Sequence, residues 1–486
     1  MDYRKLSITE LHNALVNGDI TPLELAKAAI EEAKKDTNVS FEYICEKEAI
    51  EAAQHLDVSK KNNLLWGIPY VLKDNFSTKD IPTTASSDFL KNYVPVFSSE
   101  VSNRLEEQGA ILIGKTTLDE FAMGGSGITG HLGRTYNPWD PTHQRMVGGS
   151  SCGSASACTA GIVPLAIGSD TGDSVRKPAS FAGLVGLKPT WGRISRYGLF
   201  PFASSLDHVG FFTRNVQDSA IALSVLAGRD NKDSTSSDRP VDDYLSKLNV
   251  PLKGKRIAII DEIYHSFSNS IVDDTFEKLL KTMEEQGAII NRVHMDKKLC
   301  RAIFPVYVIL SCAEATSNNA ALDGIKYGER FSADSYEGVM YSARTHGFSE
   351  LIKRRFVIGS YSLLRENQLE VFVRAQKCRR LIVNAVNEIL KDNDAIFLPA
   401  ATGVAPLFDN KNNSGTENEY FIGDNYLAIA NFGGQPSITI PIGFENGLPF
   451  GGNLIGKIFD EATILNIAQQ IENLTGLANL LAPEVK

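Results

Sequence analysis

Residues 124 to 192 are unusually rich in glycine, serine and alanine. That composition would suit a flexible linker, but ordered apolar segments such as IVPLAIG at 162–168 interrupt it. Small side chains set between apolar segments let backbones approach one another closely. The stretch therefore predicts a tightly packed centre, and the rest of the chain must fold around it. At 486 residues, with 43% hydrophobic and 22% charged, the chain has material for a substantial core.

Local signals on either side of this centre alternate between helix and strand. Ser7 and Glu10 have capping-box spacing ahead of Leu11 and Leu15, and Gly18 supplies a stop. Thr21 and Glu24 repeat the signal, with Pro22 at the first helical position of an amphipathic stretch reaching Lys35. Tyr70, Val71 and Leu72 form a short apolar strand running into Lys73 and Asp74. Residues 99–108 read as a helix ended by Gly109, with AILIG at 110–114 as the next strand. The same device recurs later: KRIAII at 255–260 is a strand, 273–286 a helix, and Gly287 leads into another strand. A helix feeding a buried strand through glycine is the connection of open α/β sheets. The polar segment 238–255, with two prolines, reads as a connection between lobes, and 406–420 as a mobile loop. A last helix follows Phe459 and ends at Gly476. We divide the chain into an N-terminal helical region (1–60), a core (61–220) and the remainder of the α/β body (221–486).

Several function classes are disfavoured. A net charge of −9 argues against binding nucleic acid or membrane with the whole surface, while leaving room for a partner that holds nucleic acid. The six cysteines, at 45, 152, 158, 300, 312 and 378, form no CxxC pair and suit neither a zinc site nor a stapled secreted scaffold. A reducing, cytoplasmic setting is the plain reading. The start, MDYRKLSITELHNAL, has no apolar run behind its early charges, and no stretch reaches the roughly 18 consecutive apolar residues expected of a membrane span. His131, His143 and His208 lie close to the Gly/Ser region, but no G-x-S-x-G elbow accompanies them, so they read as structural or surface groups.

Three segments carry chemistry: WGIPYVLKDN at 66–75, MVGGSSCGSAS at 146–156 and GSDTGDSVRKPAS at 168–180. Together they resemble the amidase signature family. LDEFAMGGS at 118–126 and LKPTWGRISRYGL at 187–199 narrow the resemblance to the A subunits of glutamyl-tRNA(Gln) amidotransferases. The resemblance implies an α/β fold with a mixed, twisted β-sheet covered by helices on both faces. It implies Ser174 as nucleophile, Ser150 as a bridging serine behind a non-proline cis peptide bond, and Lys73 as base. Backbone amides of Thr171, Gly172 and Asp173 correspond to the oxyanion hole, and Tyr307, Arg355 and Asp424 to the residues that hold free glutamine. Arg354, adjacent in the KRR run, is the alternative to Arg355.

The chemistry needs such groups on its own terms. A serine hydroxyl is a weak nucleophile unless a neighbour accepts its proton during attack. A lysine accepts that proton only when neutral, so its pKa must fall below the free value of about 10.4, and burial is the usual route. An arginine grips an α-carboxylate bidentately and an aspartate takes an α-ammonium, a pairing that selects an amino acid over a simple amide. The resemblance further implies B and C subunits in a heterotrimer, with tRNA held mainly by the B subunit. No cofactor is expected in this chain, ATP and magnesium belonging to the partner's step, and no membrane is involved. A stand-alone small-amide amidase and a structural subunit with an attenuated site are the competing readings.

The chain departs from the family pattern at four places. Asp173 replaces the usual glycine before the nucleophile; a positive φ there would suit aspartate poorly, and an inward carboxylate would oppose an oxyanion. We expect it to face outward, against Arg176 or Lys177, leaving the hole intact. Cys152 takes a usual glycine position next to the relay, and Trp191 and Asn453 read as local packing adjustments.

Overall fold

The structure, a computed structural model, describes residues 2–267, 269–408 and 420–483. Most of the loop expected at 406–420 lies outside these described residues.

Both opening helices form where their caps predict. Ser7 and Glu10 close a capping box on Ile8–Asn17, which Gly18 ends in the left-handed conformation. Thr21 and Glu24 do the same for Pro22–Lys34. The two look-alike helix-to-strand turns are one physical motif. Gly109 and Gly287 adopt positive φ (85° and 88°), and the alanine after each donates back to the carbonyl five residues earlier, Leu105 and Met283. Glycine is the residue that takes this left-handed cap at no steric cost. The helices are Glu100–Glu107 and Ser270–Glu285, the second starting three residues before its expected boundary because Asn269 supplies the N-cap.

The strands, in chain order, are β1 (Phe41–Ile44), β2 (Pro69–Lys73), β3 (Ile111–Thr116), β4 (Leu165–Asp170), β5 (Val185–Lys188), β6 (His208–Thr213), β7 (Arg256–Ile260), β8 (Ile289–Val293), β9 (Ala395–Pro399), β10 (Ser437–Glu445) and β11 (Leu448–Gly456). They join in one 11-stranded sheet ordered β1-β3-β2-β4-β6-β5-β10-β11-β9-β7-β8. Pairing is parallel among β3, β2 and β4 and among β9, β7 and β8, and antiparallel elsewhere. This is the mixed α/β sheet flanked by helices that the resemblance implied. Strands β2, β4, β5, β6, β9 and β11 are buried along their whole length, in keeping with the apolar segments at 70–72 and 162–168 that enter β2 and β4.

The small-residue stretch becomes the helix Cys152–Thr159, in which every residue is buried. Its Ser154 hydroxyl donates to the Ile167 carbonyl of β4 at 2.8 Å and meets Thr116 of β3 at 2.7 Å. At Gly153 a Cβ would lie 2.3 Å from the Ser40 carbonyl oxygen, so the approach excludes any larger residue. The composition at 124–192 thus serves close packing.

Helix Lys297–Asn318 qualifies the expectation about membrane spans: by length and composition alone it could cross a bilayer. Its apolar residues Cys300, Ile303, Val306 and Leu310 are buried within the fold, so it serves here as a core helix, and it carries Tyr307.

Candidate active site

Lys73 ends β2, between parallel β3 and β4, and is fully buried. Its Nζ lies 2.7 Å from Ser150 Oγ, 3.0 Å from Ser151 Oγ, 3.0 Å from Ser169 Oγ and 3.4 Å from the Ser169 carbonyl oxygen. Among the described residues no carboxylate pairs with it; Asp119, Asp170 and Asp207 act on it only at longer range. Burial pushes the ammonium down to about 7. A neutral amine there has two N–H bonds to give to the oxygens around it and one lone pair to receive a proton. The peptide bond between Gly149 and Ser150 is cis.

The turn after β4 carries Ser174, 3% exposed, and leads into helix Arg176–Ala182. An ion pair buried at both ends holds this turn. Arg176 Nη2 lies 2.9 Å from Asp170 Oδ1, its Nε donates to Oδ2 at 3.1 Å, and Nη2 also donates to the Gly172 carbonyl at 2.8 Å. Burial alone would raise the Asp170 pKa, but the Arg176 charge and its hydrogen bonds hold the carboxyl well below the usual range. Ser151 N–H donates to the Ser174 carbonyl at 3.3 Å, joining the Ser174 turn to the serine pair. Among the described residues the Ser150 and Ser174 hydroxyls share no direct hydrogen bond, so of the two contacts expected of a relay, only the one between Lys73 and Ser150 is formed. Catalytic hydrogen bonds in unliganded sites are commonly long and tighten when substrate binds.

Also among the described residues, the backbone N–H groups of Thr171, Gly172, Asp173 and Ser174 find no protein acceptor, leaving a run of donors beside the Ser174 side chain. Thr171 is fixed by its own hydroxyl, which donates to Asp207 Oδ1 at 2.7 Å. Gly172 is fixed by space: a Cβ there would sit 2.8 Å from the Tyr307 ring. Asp173 is not among the residues with positive φ, so its departure from glycine carries no backbone strain. Its carboxylate faces Lys177 Nζ at 2.7 Å, one of the two expected partners; Arg176 is committed to Asp170 instead.

The three residues expected to hold substrate come from three helices. Tyr307, on Lys297–Asn318, lies against the nucleophile turn. Burial raises its pKa, and the charges of Arg355 and Asp173 act on its hydroxyl. Arg355, on Glu350–Leu363, stands over the Phe202 ring (5.5 Å), and its Nε is buried without a partner among the described residues. Arg354 is exposed on the same helix, which separates the two arginines that sequence left open. Asp424, on Tyr420–Asn425, accepts from Thr402 Oγ1 at 3.0 Å, and its backbone carbonyl accepts from Lys177 Nζ at 2.5 Å.

Sequence reading missed three parts of this site. Ser151 and Ser169 complete the shell around Lys73, and Asp170 with Arg176 braces the nucleophile turn. Asp119 is the third. Its carboxylate accepts from the backbone N–H groups of Ser126, Gly127, Ile128 and Thr129, while its own N–H donates to the Ser150 carbonyl at 3.1 Å. The signal was the aspartate of LDEFAMGGS, an acid a few residues ahead of a glycine pair. The histidines stay outside the chemistry. His131 lies between Glu42 (2.9 Å) and Asp88 (3.2 Å), and His143 stacks on Tyr136. His208 meets the Leu206 carbonyl at 2.6 Å, and burial pushes its pKa well down. Burial pushes the Cys152 thiol up to about 12, the reverse of nucleophile activation. Asn453 pairs with Ser437 and Thr439, and Trp191 lies under Arg196, as packing adjustments would.

Known proteins match this chain over most of its length. Residues 23–465 match the model of the amidase family. The chain is 40% identical over 482 residues to the A subunit of the Persephonella marina glutamyl-tRNA(Gln) amidotransferase, covering 98% of both chains. The crystal structure of the Thermotoga maritima counterpart of that protein superimposes with a TM-score of 0.81 at 35% identity, covering 100% of this chain and 99% of that one. The native peptide amidase of Stenotrophomonas maltophilia superimposes with a TM-score of 0.80 at 25% identity, covering 98% of each. A buried lysine among serines, a family match over most of the length and near-complete coverage of these relatives lead to one conclusion: the chain belongs to the amidase signature family of enzymes and is closely related to the A subunits of glutamyl-tRNA(Gln) amidotransferases.

Proposed function

We propose that this chain is the glutaminase subunit of a tRNA-dependent amidotransferase. Glutamine enters with its α-carboxylate on Arg355 and Tyr307 and its α-ammonium on Asp424. Ser174 Oγ attacks the side-chain amide carbon while its proton passes through the Ser150 hydroxyl to neutral Lys73. The unpaired N–H groups of the 171–174 turn receive the developing oxyanion, a contribution of several kcal/mol in such sites. Lys73 returns the proton through Ser150 to the leaving nitrogen, ammonia departs, and the acyl group stays on Ser174. Water, deprotonated by the same route, then releases glutamate.

The observation that carries this reading is a fully buried amine 2.7 Å from a serine hydroxyl with, among the described residues, no acid paired to it. An amine held by an acid would stay protonated and could not accept the serine proton. Arg355, with a buried and unpartnered Nε, favours an amino acid over a simple amide as substrate. Asp173 pairs with Lys177 and does not take a positive φ, which argues against an attenuated site.

In this reading ammonia is used by a B subunit, which activates the glutamate carried on tRNA(Gln), and also aspartate on tRNA(Asn) where that substrate is present, with ATP and magnesium. A C subunit completes the heterotrimer, and the reaction takes place in the cytoplasm. No cofactor enters this chain's own chemistry. The test is ammonia release from glutamine by the chain, alone and with B and C subunits, beside its Ser174→Ala variant. Release that Ser174→Ala abolishes and the partners enhance is expected. Hydrolysis of simple amides in preference to glutamine, with no effect of partners, would instead identify a stand-alone amidase.

A further inference from the structure

Asp173 departs from the family pattern, and the side chain it meets connects it to a second part of the site. Its carboxylate lies 2.7 Å from Lys177 Nζ, one helical turn on, and both side chains are largely buried (20% and 15% exposed). The same Nζ donates to the backbone carbonyl of Asp424 at 2.5 Å. One ammonium therefore bridges the nucleophile turn and the short helix Tyr420–Asn425. Lys177 also lies within the electrostatic reach of the Asp424 side chain, whose Oδ1 is held by Thr402 at 3.0 Å. The arrangement sets up a competition. A protonated lysine this close to the carboxylate that takes a substrate ammonium is a rival for it, unless another negative charge holds it.

We propose that Asp173 and Lys177 act as a charge lock: Asp173 neutralises Lys177 and keeps it on the Asp424 backbone, leaving the Asp424 carboxylate free for the α-ammonium of the substrate. Both are positioning residues for glutamine binding, and the inference rests on Asp424 being the ammonium clamp. The negative charge at 173 and the positive charge at 177 are then one functional unit. Removing the aspartate's charge alone releases Lys177 to pair with the Asp424 carboxylate, whereas removing both charges leaves that carboxylate available again.

The test is steady-state glutamine hydrolysis by the chain assembled with its partners. The variants are Asp173→Asn, the double variant Asp173→Asn with Lys177→Gln, and Asp424→Asn. Asp173→Asn is expected to raise KM about tenfold, with a smaller change in kcat, the mark of lost ground-state binding. The double variant is expected to return KM to within about threefold of the parent, a rescue that a merely structural role would not produce. A double variant no better than Asp173→Asn, or an Asp173→Asn with unchanged KM, overturns the lock. Asp424→Asn separates this from failure of the site reading: if it leaves KM unmoved, the ammonium clamp falls and the lock with it. If Asp424→Asn raises KM and the double variant shows no rescue, the lock alone falls.

Discussion

Two lysines on neighbouring strands are treated in opposite ways. Lys73 ends β2 and Lys115 lies one residue before the end of β3, and both are fully buried. In the parallel register Leu72 faces Lys115 and Lys73 faces Thr116, so the alternation of a strand puts the two amines on opposite faces of the sheet. Lys115 Nζ meets the Asp74 carboxylate at 3.0 Å and donates to the Phe76 carbonyl and the Thr83 hydroxyl. Lys73 meets three serine hydroxyls and a carbonyl, with no carboxylate paired to it among the described residues. A buried amine facing an acid is a structural ion pair, stable only while both partners are present. A buried amine facing hydroxyls is free to lose its proton, and burial pushes it to do so. Residue type and depth of burial are shared; the sign of the nearest charge decides which lysine is available as a base.

The largest expected effect breaks the comparison at its catalytic end. Lys73→Met should lower glutamine hydrolysis by about 10³-fold or more, since the variant loses the base of the proposed mechanism. Thermal melts of the same variant should show stability unchanged or improved, because a desolvated amine has been replaced by an apolar side chain of similar shape. A large drop in stability would mean that Lys73 is structural, like Lys115.

The mirror experiment is Lys115→Met. It strands the Asp74 carboxylate, which among the described residues then keeps the two Thr84 donors, at 2.6 and 2.7 Å. Urea unfolding should report a loss of about 3–5 kcal/mol near neutral pH. Burial already pushes the Asp74 pKa up, and loss of the Lys115 charge pushes it further. The deficit should therefore shrink on acidification, as the folded state takes up a proton on Asp74.

pH sharpens the contrast next. With Lys73 near 7, kcat/KM for glutamine should rise about tenfold per pH unit below that point and level off above it, as the neutral base becomes populated. Stability carries the same signature with a definite sign. The folded pKa lies below the unfolded value of about 10.4, so between the two the unfolded chain binds more protons and stability rises with pH. Comparing the urea midpoints of the parent and Lys73→Met at pH 7 and pH 9 should isolate that slope, which the variant lacks. The smallest effect is expected from Ser151→Ala. Removing one hydroxyl 3.0 Å from Lys73 and leaving Ser150 in place should cost about tenfold in kcat, measured by the same ammonia assay.

Much of the fold was legible in the sequence where its causes are local. Ser7 with Glu10 and Thr21 with Glu24 are capping boxes closed within one turn, and Gly109 and Gly287 are caps whose φ depends on their immediate neighbours. The catalytic candidates were legible through motif resemblance, and the structure gathers Lys73, Ser150 and Ser174 into one buried region. The choice between Arg354 and Arg355 was not legible, because adjacent helical residues differ only in which face the helix turns inward. Asp173 was readable as a departure. That Lys177, not Arg176, would hold it depended on Arg176 being committed to Asp170, a contact within the same motif that its spacing did not announce.

The sequence by itself determined the helix caps at Ser7, Thr21, Gly109 and Gly287, the apolar segments that enter β2 and β4, and which residues have the functional groups for amide chemistry. These depend on patterns within a few residues, or on residue identity alone. Only the tertiary structure decided that Lys73 is buried among hydroxyls, which lowers its pKa, while Lys115 is buried against the Asp74 carboxylate. The oxygens around Lys73 come from 77 to 96 residues away, and the environment that sets a pKa does not exist until β2, β4 and the serine-rich helix have packed. Charge is written in the sequence; whether a group keeps it is settled by what the fold places next to it.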